Sequence, residues 1–200
     1  MDHIEAISFD LVGTLIDKVF IDAFWNDAIP LLYAEKEGMS FDDAKALVLL
    51  QYDEVGRDDL RWYLPDYWFQ RFGLERRVEE ALEMVRKEAR IYPDVPEALR
   101  SLRRYKLLIS SGASREIAEF VAGLIGDHFD GVFSCISDFN QIHKTPSFYL
   151  DVCCRVGLEP KRVVHVGDDE LYDYEASRQA GLRAYVINRE GKRKGPHVLK

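Results

Sequence analysis

The chain has 200 residues, 47% of them hydrophobic and 31% charged, and a formal net charge of −8. That is enough polypeptide to bury a full core, and its acidity argues against a nucleic-acid partner or an anionic membrane surface. No apolar run approaches the roughly 20 residues needed to span a bilayer.

The opening segment MDHIEAISFD carries no leader pattern and runs into a first strand, Ile4–Phe9, so a cytoplasmic location is expected. Residues 18–90 then read as helices. Val19–Ile29 is apolar and aromatic, and Ser40 is placed to cap a helix over Asp42–Val55. A third element holds Trp62, Tyr63, Tyr67, Trp68, Phe69 and Phe72, with Pro65 at its start or at a kink. The fourth covers Glu75–Ile91. Packing within this segment is the first reading of the aromatic run, and closure over a substrate the second.

From Ile91 onward the pattern alternates. Strand-like runs at Lys106–Ser110, Gly131–Cys135, Arg162–Val166 and Ala184–Ile187 are separated by helical stretches at Pro96–Arg104, Arg115–Ile125, Ser147–Val156 and Leu171–Ala180. Strands alternating with helices predict an α/β fold: a Rossmann-like parallel sheet with helices on both faces. The expected division is a core domain of residues 1–17 and 91–200 and a small all-helical domain of residues 18–90. Cys135, Cys153 and Cys154 suggest neither a disulfide framework nor a zinc site and read as buried thiols in a reducing compartment. The basic residues Arg189, Lys192, Arg193, Lys194 and Lys200 read as a solvated, partly frayed terminus.

Ligands of open parallel sheets gather at the carboxyl ends of the strands. Three of the predicted strand ends carry chemistry: Asp10-Leu-Val-Gly-Thr-Leu15, Ser110-Ser-Gly112, and Gly167-Asp-Asp-Glu170 with Asp173 a turn later. Lys144 precedes the helix that leads to the fourth strand. Each has a bland reading alone, as a turn residue, a helix cap or a solvated lysine. Their joint occurrence in this order is what points to a site.

These motifs resemble those of the haloacid dehalogenase superfamily over nearly the whole chain. Asp10–Leu15 matches the family's Asp-x-Asp-Gly-Thr-Leu except at one position. Ser110 matches the strand-ending Ser or Thr, Lys144 with Pro146 the third motif, and Gly167, Asp168 and Asp173 the fourth. The helical insertion resembles the family's cap domain. The resemblance implies a Mg²⁺-dependent phosphatase acting on a small phosphorylated metabolite, with Asp10, Ser110 and Lys144 as catalytic residues. Asp10 would attack phosphorus and form an aspartyl-phosphate. Ser111, Gly112 and Thr14 would serve the substrate side. The implied metal ligands are Asp10, the backbone carbonyl of Val12, Asp168, and Asp173 directly or through water.

One position departs from the pattern. Phosphatases of this family carry a second Asp where this chain has Val12, and that Asp handles the leaving-group proton. His143, Asp169 and an acid of the helical segment are the candidates to replace it. Two alternatives stay open: a 2-haloacid dehalogenase-type hydrolase, which also lacks that acid, and a catalytically weak binding protein that kept the fold.

Overall fold

The structure is a computed structural model that describes residues 3–189, 191 and 196–199. The chain forms two compact units, one of residues 1–17 and 91–200 and one of residues 18–90. Lys192, Arg193, Lys194 and Lys200 of the basic terminus lie outside the described residues.

The first unit is built on a six-stranded parallel sheet. Its strands are β1 (Ala6–Phe9), β2 (Lys106–Ser111), β3 (Gly131–Ser134), β4 (Val163–Gly167), β5 (Arg183–Ile187) and β6 (Val198–Leu199), in the order β3-β2-β1-β4-β5-β6. Strand β1 lies between β2 and β4 and is buried along its whole length. This explains its unbroken Ala-Ile-Ser-Phe run, since a central parallel strand has no solvent face. The chain moves outward from β1 to β3, then returns to β4 on the other side of β1. That reversal is the topological switch point, and it opens a crevice at the carboxyl ends of β1 and β4.

Helices α6 (Val95–Leu102), α7 (Arg115–Ile125), α8 (Cys135–Phe139), α9 (Pro146–Val156) and α10 (Ala176–Gln179) pack around the sheet. Their starts follow from local chemistry. Thr145 caps α9, its hydroxyl accepting from the Phe148 amide, and Pro146 stands in the first turn, where no amide donor is needed. Gly157 closes α9 in the left-handed conformation.

Several expectations shift here. Cys135 begins α8 instead of ending β3, because the Ser134 hydroxyl caps a helix by accepting from Ser137 N. The predicted helix Leu171–Ala180 is a π-type turn over Glu170–Glu175 followed by α10. Strand β6 has no counterpart in the sequence reading, being two residues long. Cys135 and Cys153 are buried thiols, pushed up to about 12 and about 11 chiefly by burial. Cys154 is exposed, a correction to the reading of all three as buried, because the next helical residue turns about 100° away from the core face.

The second unit is entirely helical among its described residues. Helix α1 (Val19–Ala23) passes through a π-type turn, Phe24–Ala28, into α2 (Ile29–Glu37), which Gly38 ends at φ 66°. Helix α3 (Phe41–Val55) starts where the Ser40 hydroxyl accepts from Asp43 N, as its sequence predicts. Helices α4 (Pro65–Phe72) and α5 (Val78–Met84) follow. The fourth predicted helix is thus much shorter than Glu75–Ile91. Ala44, Val48 and Tyr52, four residues apart on α3, form its buried stripe. Tyr52 meets Trp68 edge-on at 4.6 Å and donates to the Trp25 carbonyl, while Trp68 Nε1 donates to the Trp62 carbonyl. Trp68, Phe69 and Phe72 are buried and belong to the core of this unit, whereas Trp62, Tyr63 and Tyr67 are half-buried.

Candidate active site

The central strand delivers Asp10. Its amide donates to the Val166 carbonyl at 2.8 Å, extending the β1–β4 ladder by one residue and fixing where the carboxylate emerges. The chain then reverses. Gly13 N donates to Ile16 O at 2.7 Å, Ile16 N to Leu11 O at 3.1 Å, and Leu15 N to Leu11 O at 2.8 Å. None of these bonds uses the Val12 carbonyl. Gly13 sits at φ +85°, and a Cβ there would lie 2.4 Å from Asp168 Oδ2. Glycine is therefore required twice over, for the left-handed backbone and for the close approach of Asp168.

Strand β4 ends in Gly167, which permits a second close approach. A Cβ at Gly167 would fall 2.2 Å from Asp173 Cγ, so that carboxylate packs over bare backbone. Asp169 caps the turn that carries Asp173, its Oδ1 accepting from Leu171 N and Tyr172 N at 2.8 and 2.7 Å. Asp169 thus makes the capping bonds that its place before the turn suggests.

Oxygens of Asp10, Asp168 and Asp173 all lie within 4.8 Å of one another. Lys144 reaches between them. Its ammonium is 2.5 Å from Asp10 Oδ1 and also donates to Asp173 Oδ1. Both carboxylates and the lysine are buried. Burial, opposed by Lys144 and reinforced by Asp173 and Asp168, raises Asp10 from 3.8 to about 7. Burial also raises Asp168, with Asp173 adding to it. Asp173 goes the other way: burial would lift it, but Lys144 and His165 together hold it well below the carboxylate range. For Lys144, burial would lower the ammonium, yet Asp10 and Asp173 keep it above its ordinary value. Three carboxyl groups, two of them buried and Asp168 half-buried, thus crowd around one ammonium.

That donor set fits a hard divalent cation. All its side-chain atoms are carboxylate oxygens close enough to share one ion, which suits Mg²⁺ and not a soft metal. Asp173 is the most heavily occupied of the three. Its Oδ1 accepts from Lys144 and His165, with the Tyr149 hydroxyl oxygen 3.3 Å away, and its Oδ2 accepts from Asp169 N at 3.0 Å. Both oxygens of Asp173 are therefore already engaged by neighbouring groups.

Ser110 and Ser111 end β2 and are buried. Ser111 Oγ accepts from Ala113 N at 3.0 Å, turning the chain into α7, and a Cβ at Gly112 would meet nothing within 4 Å. Thr14 Oγ1 donates to Asp10 Oδ2 at 3.3 Å, so its hydroxyl addresses the acid itself. His143 is exposed and stacks on Tyr172, ring centroids 4.3 Å apart.

Sequence reasoning missed several residues around this centre. Arg189, read as part of a solvated terminus, is clamped instead. Its guanidinium donates twice to the Thr14 carbonyl, at 2.6 and 3.2 Å, pairs with Asp94 at 2.6 Å and covers the Tyr92 ring. Ser8, Tyr149 and His165 form a buried polar layer next to Asp173 and Ser110. The available signal was a polar residue inside each of two otherwise apolar strands, Ala-Ile-Ser-Phe and Val-Val-His-Val.

Comparison with known proteins agrees with the motifs. The profile of haloacid dehalogenase-like hydrolases matches residues 4–181. A solved HAD phosphatase from Thermococcus onnurineus is 30% identical, with a TM-score of 0.74 over 98% of this chain and 91% of the other. The GMP/IMP nucleotidase YrfG of Escherichia coli (strain K12) is 25% identical over 184 residues, 90% of this chain and 81% of the relative. The (S)-2-haloacid dehalogenase of Pseudomonas sp. (strain YL) is 26% identical over 207 residues, 96% of this chain and 85% of its own. With the profile spanning most of the sequence and the motifs converging at one switch point, the chain belongs to the haloacid dehalogenase-like hydrolase family and is a hydrolase of the phosphatase type.

Proposed function

We propose that this protein is a Mg²⁺-dependent phosphatase that hydrolyses a small phosphorylated metabolite through an aspartyl-phosphate on Asp10. The observation that carries the reading is the buried cluster itself: three carboxylates with oxygens within 4.8 Å and a single ammonium, at the carboxyl ends of the central strands. Such crowding of carboxyl groups calls for a cation, and a phosphoryl group adds negative charge that must be offset. In this reading Asp10, the Val12 carbonyl and Asp168 hold the ion, and Asp173 holds it directly or through water. The bound ion supplies charge neutralisation for the substrate's phosphoryl oxygens.

The chain's own groups do the rest. Asp10 attacks phosphorus in line, the bond from phosphorus to the ester oxygen breaks, and water later cleaves the acyl phosphate. Lys144 screens the approach of phosphate to Asp10. Ser110, with the amides of Ser111 and Gly112, hydrogen-bonds the phosphoryl oxygens. Thr14 keeps the Asp10 carboxylate turned into the site. Residues 18–90 take the part of the family's cap domain, and the relative named as a nucleotidase puts nucleoside monophosphates in the substrate panel.

Val12 leaves the leaving-group oxygen without the usual acid. Substrates that expel a stabilised oxyanion, such as acyl or aryl phosphates, are therefore favoured, since they need no proton in the transition state. The experiment is phosphate release from aryl and acyl phosphates and nucleoside monophosphates, with and without Mg²⁺, for wild type and Asp10→Asn. Loss of turnover in the variant and in EDTA is expected. Undiminished activity in Asp10→Asn would overturn the proposal.

Val12 also favours a second reading, a 2-haloacid dehalogenase-type hydrolase, because that chemistry needs no acid for its leaving group. Asp168 opposes it, since a metal-free carboxylate nucleophile gains nothing from a further negative charge nearby. Halide release from a 2-chloroacid in EDTA would reverse the order.

A further inference from the structure

Beside the acid cluster lies a second polar layer, wholly buried, that the motifs do not include. Ser8 on β1 sits in register with His165 on β4. Ser8 Oγ donates to Ser110 Oγ at 2.7 Å and lies 3.0 Å from His165 Nδ1. The other imidazole nitrogen, Nε2, is 3.0 Å from Asp173 Oδ1 and 3.1 Å from Tyr149 Oη. Tyr149, on α9, donates to the Tyr172 carbonyl at 2.8 Å. His165 and Ser110 are 0% exposed, and Ser8, Tyr149 and Asp173 1% each.

Donor counting fixes the direction of the central bond. The Asp173 carboxylate, paired with the Lys144 ammonium, has only lone pairs to offer, so the hydrogen between it and Nε2 must sit on nitrogen. Tyr149 has one hydrogen, and the Tyr172 carbonyl is its nearest acceptor. Toward Nε2 the tyrosine therefore presents a lone pair, and Nε2–H is the donor. Ser8 gives its one hydrogen to Ser110, so the path from Ser110 through Ser8 and His165 to Asp173, and on through Lys144 to Asp10, closes with hydrogen on both imidazole nitrogens, Nδ1–H donating to Ser8 and Nε2–H to Asp173.

Lys144 alone cannot define where Asp173 points, since one flexible ammonium is divided between two carboxylates. A planar ring anchored in the sheet can, because its two nitrogens face in fixed directions. We propose that His165 is a positioning residue: its Nε2–H holds Asp173 for the cation side of the site, while its Nδ1, through Ser8, holds the Ser110 hydroxyl for the phosphoryl side. One imidazole thereby sets the spacing of both halves. The inference rests on the reading of the site as a metal-assisted phosphatase. A histidine serving only as filler would not need both nitrogens directed at side chains that belong to the site.

The test uses the full chain and three variants. His165→Leu removes both nitrogens at similar volume, His165→Gln restores one amide donor, and Ser8→Ala cuts only the branch to Ser110. Calorimetric titration with MgCl₂ in the absence of substrate gives metal affinity. Steady-state kinetics on an aryl phosphate give kcat and KM separately, and thermal melting checks the fold. His165→Leu should bind Mg²⁺ about 10–100-fold more weakly, the range typical for lost partners of metal ligands. His165→Gln should recover most of that loss. Ser8→Ala should keep wild-type Mg²⁺ affinity and raise KM. Wild-type Mg²⁺ affinity in a folded His165→Leu, or a His165→Gln no better than His165→Leu, overturns the proposal. Should His165→Leu fail to fold, Ser8→Ala decides: an unchanged KM overturns it. A wild-type protein that binds no Mg²⁺ would instead defeat the metal reading, and this inference with it.

Discussion

Replacing Asp168 by Asn separates what the acid cluster does for a cation from what it costs the fold. Oxygens of Asp168, Asp10 and Asp173 lie within 4.8 Å of one another, with Lys144 as the facing cation. Two like charges about 4 Å apart repel by about 1 kcal/mol in a water-like medium and about 4 kcal/mol at the effective dielectric of protein sites. Asp168 is half-buried and Lys144 offsets part of the repulsion. The net relief on neutralising Asp168 is therefore on the order of 1 kcal/mol. Asn keeps the shape and the hydrogen-bonding capacity while removing the charge. In EDTA the variant should melt above wild type, by about 2–4 °C for a chain of this size. In Mg²⁺ the order should reverse. At 100 times the dissociation constant a specific ligand adds about 2.7 kcal/mol, or about 5–10 °C on the same scale, to the protein that binds it. Differential scanning calorimetry of both proteins, in EDTA and in saturating Mg²⁺, gives the four values. A lower Tm for Asp168→Asn in EDTA, or an equal rise of both proteins in Mg²⁺, would refute the charge-crowding argument.

Restoring an acid by Val12→Asp should raise phosphate release from alkyl phosphates by about 10²–10⁴-fold, the usual worth of a general acid, and change aryl phosphate turnover much less. An equal effect on both substrates would contradict the role assigned to the missing group. Lys144→Met leaves Asp10 and Asp173 buried without their shared cation. Chemical denaturation without metal should show a loss of about 3–5 kcal/mol, and turnover should vanish. Arg189→Ala removes the bonds to Thr14 O and Asp94 and should cost about 1.5–3 kcal/mol in thermal denaturation. Arg189→Lys should not restore it, because a single ammonium cannot reproduce the fork that meets Thr14 and Asp94 together.

The residues that the structure draws together around Asp10 could be singled out in the sequence. Asp10, Ser110, Asp168 and Asp173 stand out because strand ends in a parallel sheet expose short polar runs after apolar ones; three such ends coincide in order, with Lys144 before the helix that leads to the last of them. Gly13 and Gly167 were readable as parts of the motifs, although their closeness to Asp168 and Asp173 was not. The helical unit was harder. Its fourth helix shrank from Glu75–Ile91 to Val78–Met84, since helical periodicity persists in sequence after the hydrogen-bond ladder has given way to a tighter turn.

The sequence by itself determined the order of the first five strands and the main helices between them, the α/β class, the all-helical character of residues 18–90 and the family of the motifs. Those properties depend on local periodicity and short-range spacing, which a linear text contains. Only the tertiary structure decided which polar groups share one buried space. Strand register set Ser8 opposite His165, separated by more than 150 residues in the chain. The same long-range packing drew Arg189 out of an apparently solvated terminus and onto the Thr14 carbonyl, 175 residues away. Pairing at such separations is selected by the sheet as a whole, through the burial of its apolar neighbours, and nothing local to either residue names its partner.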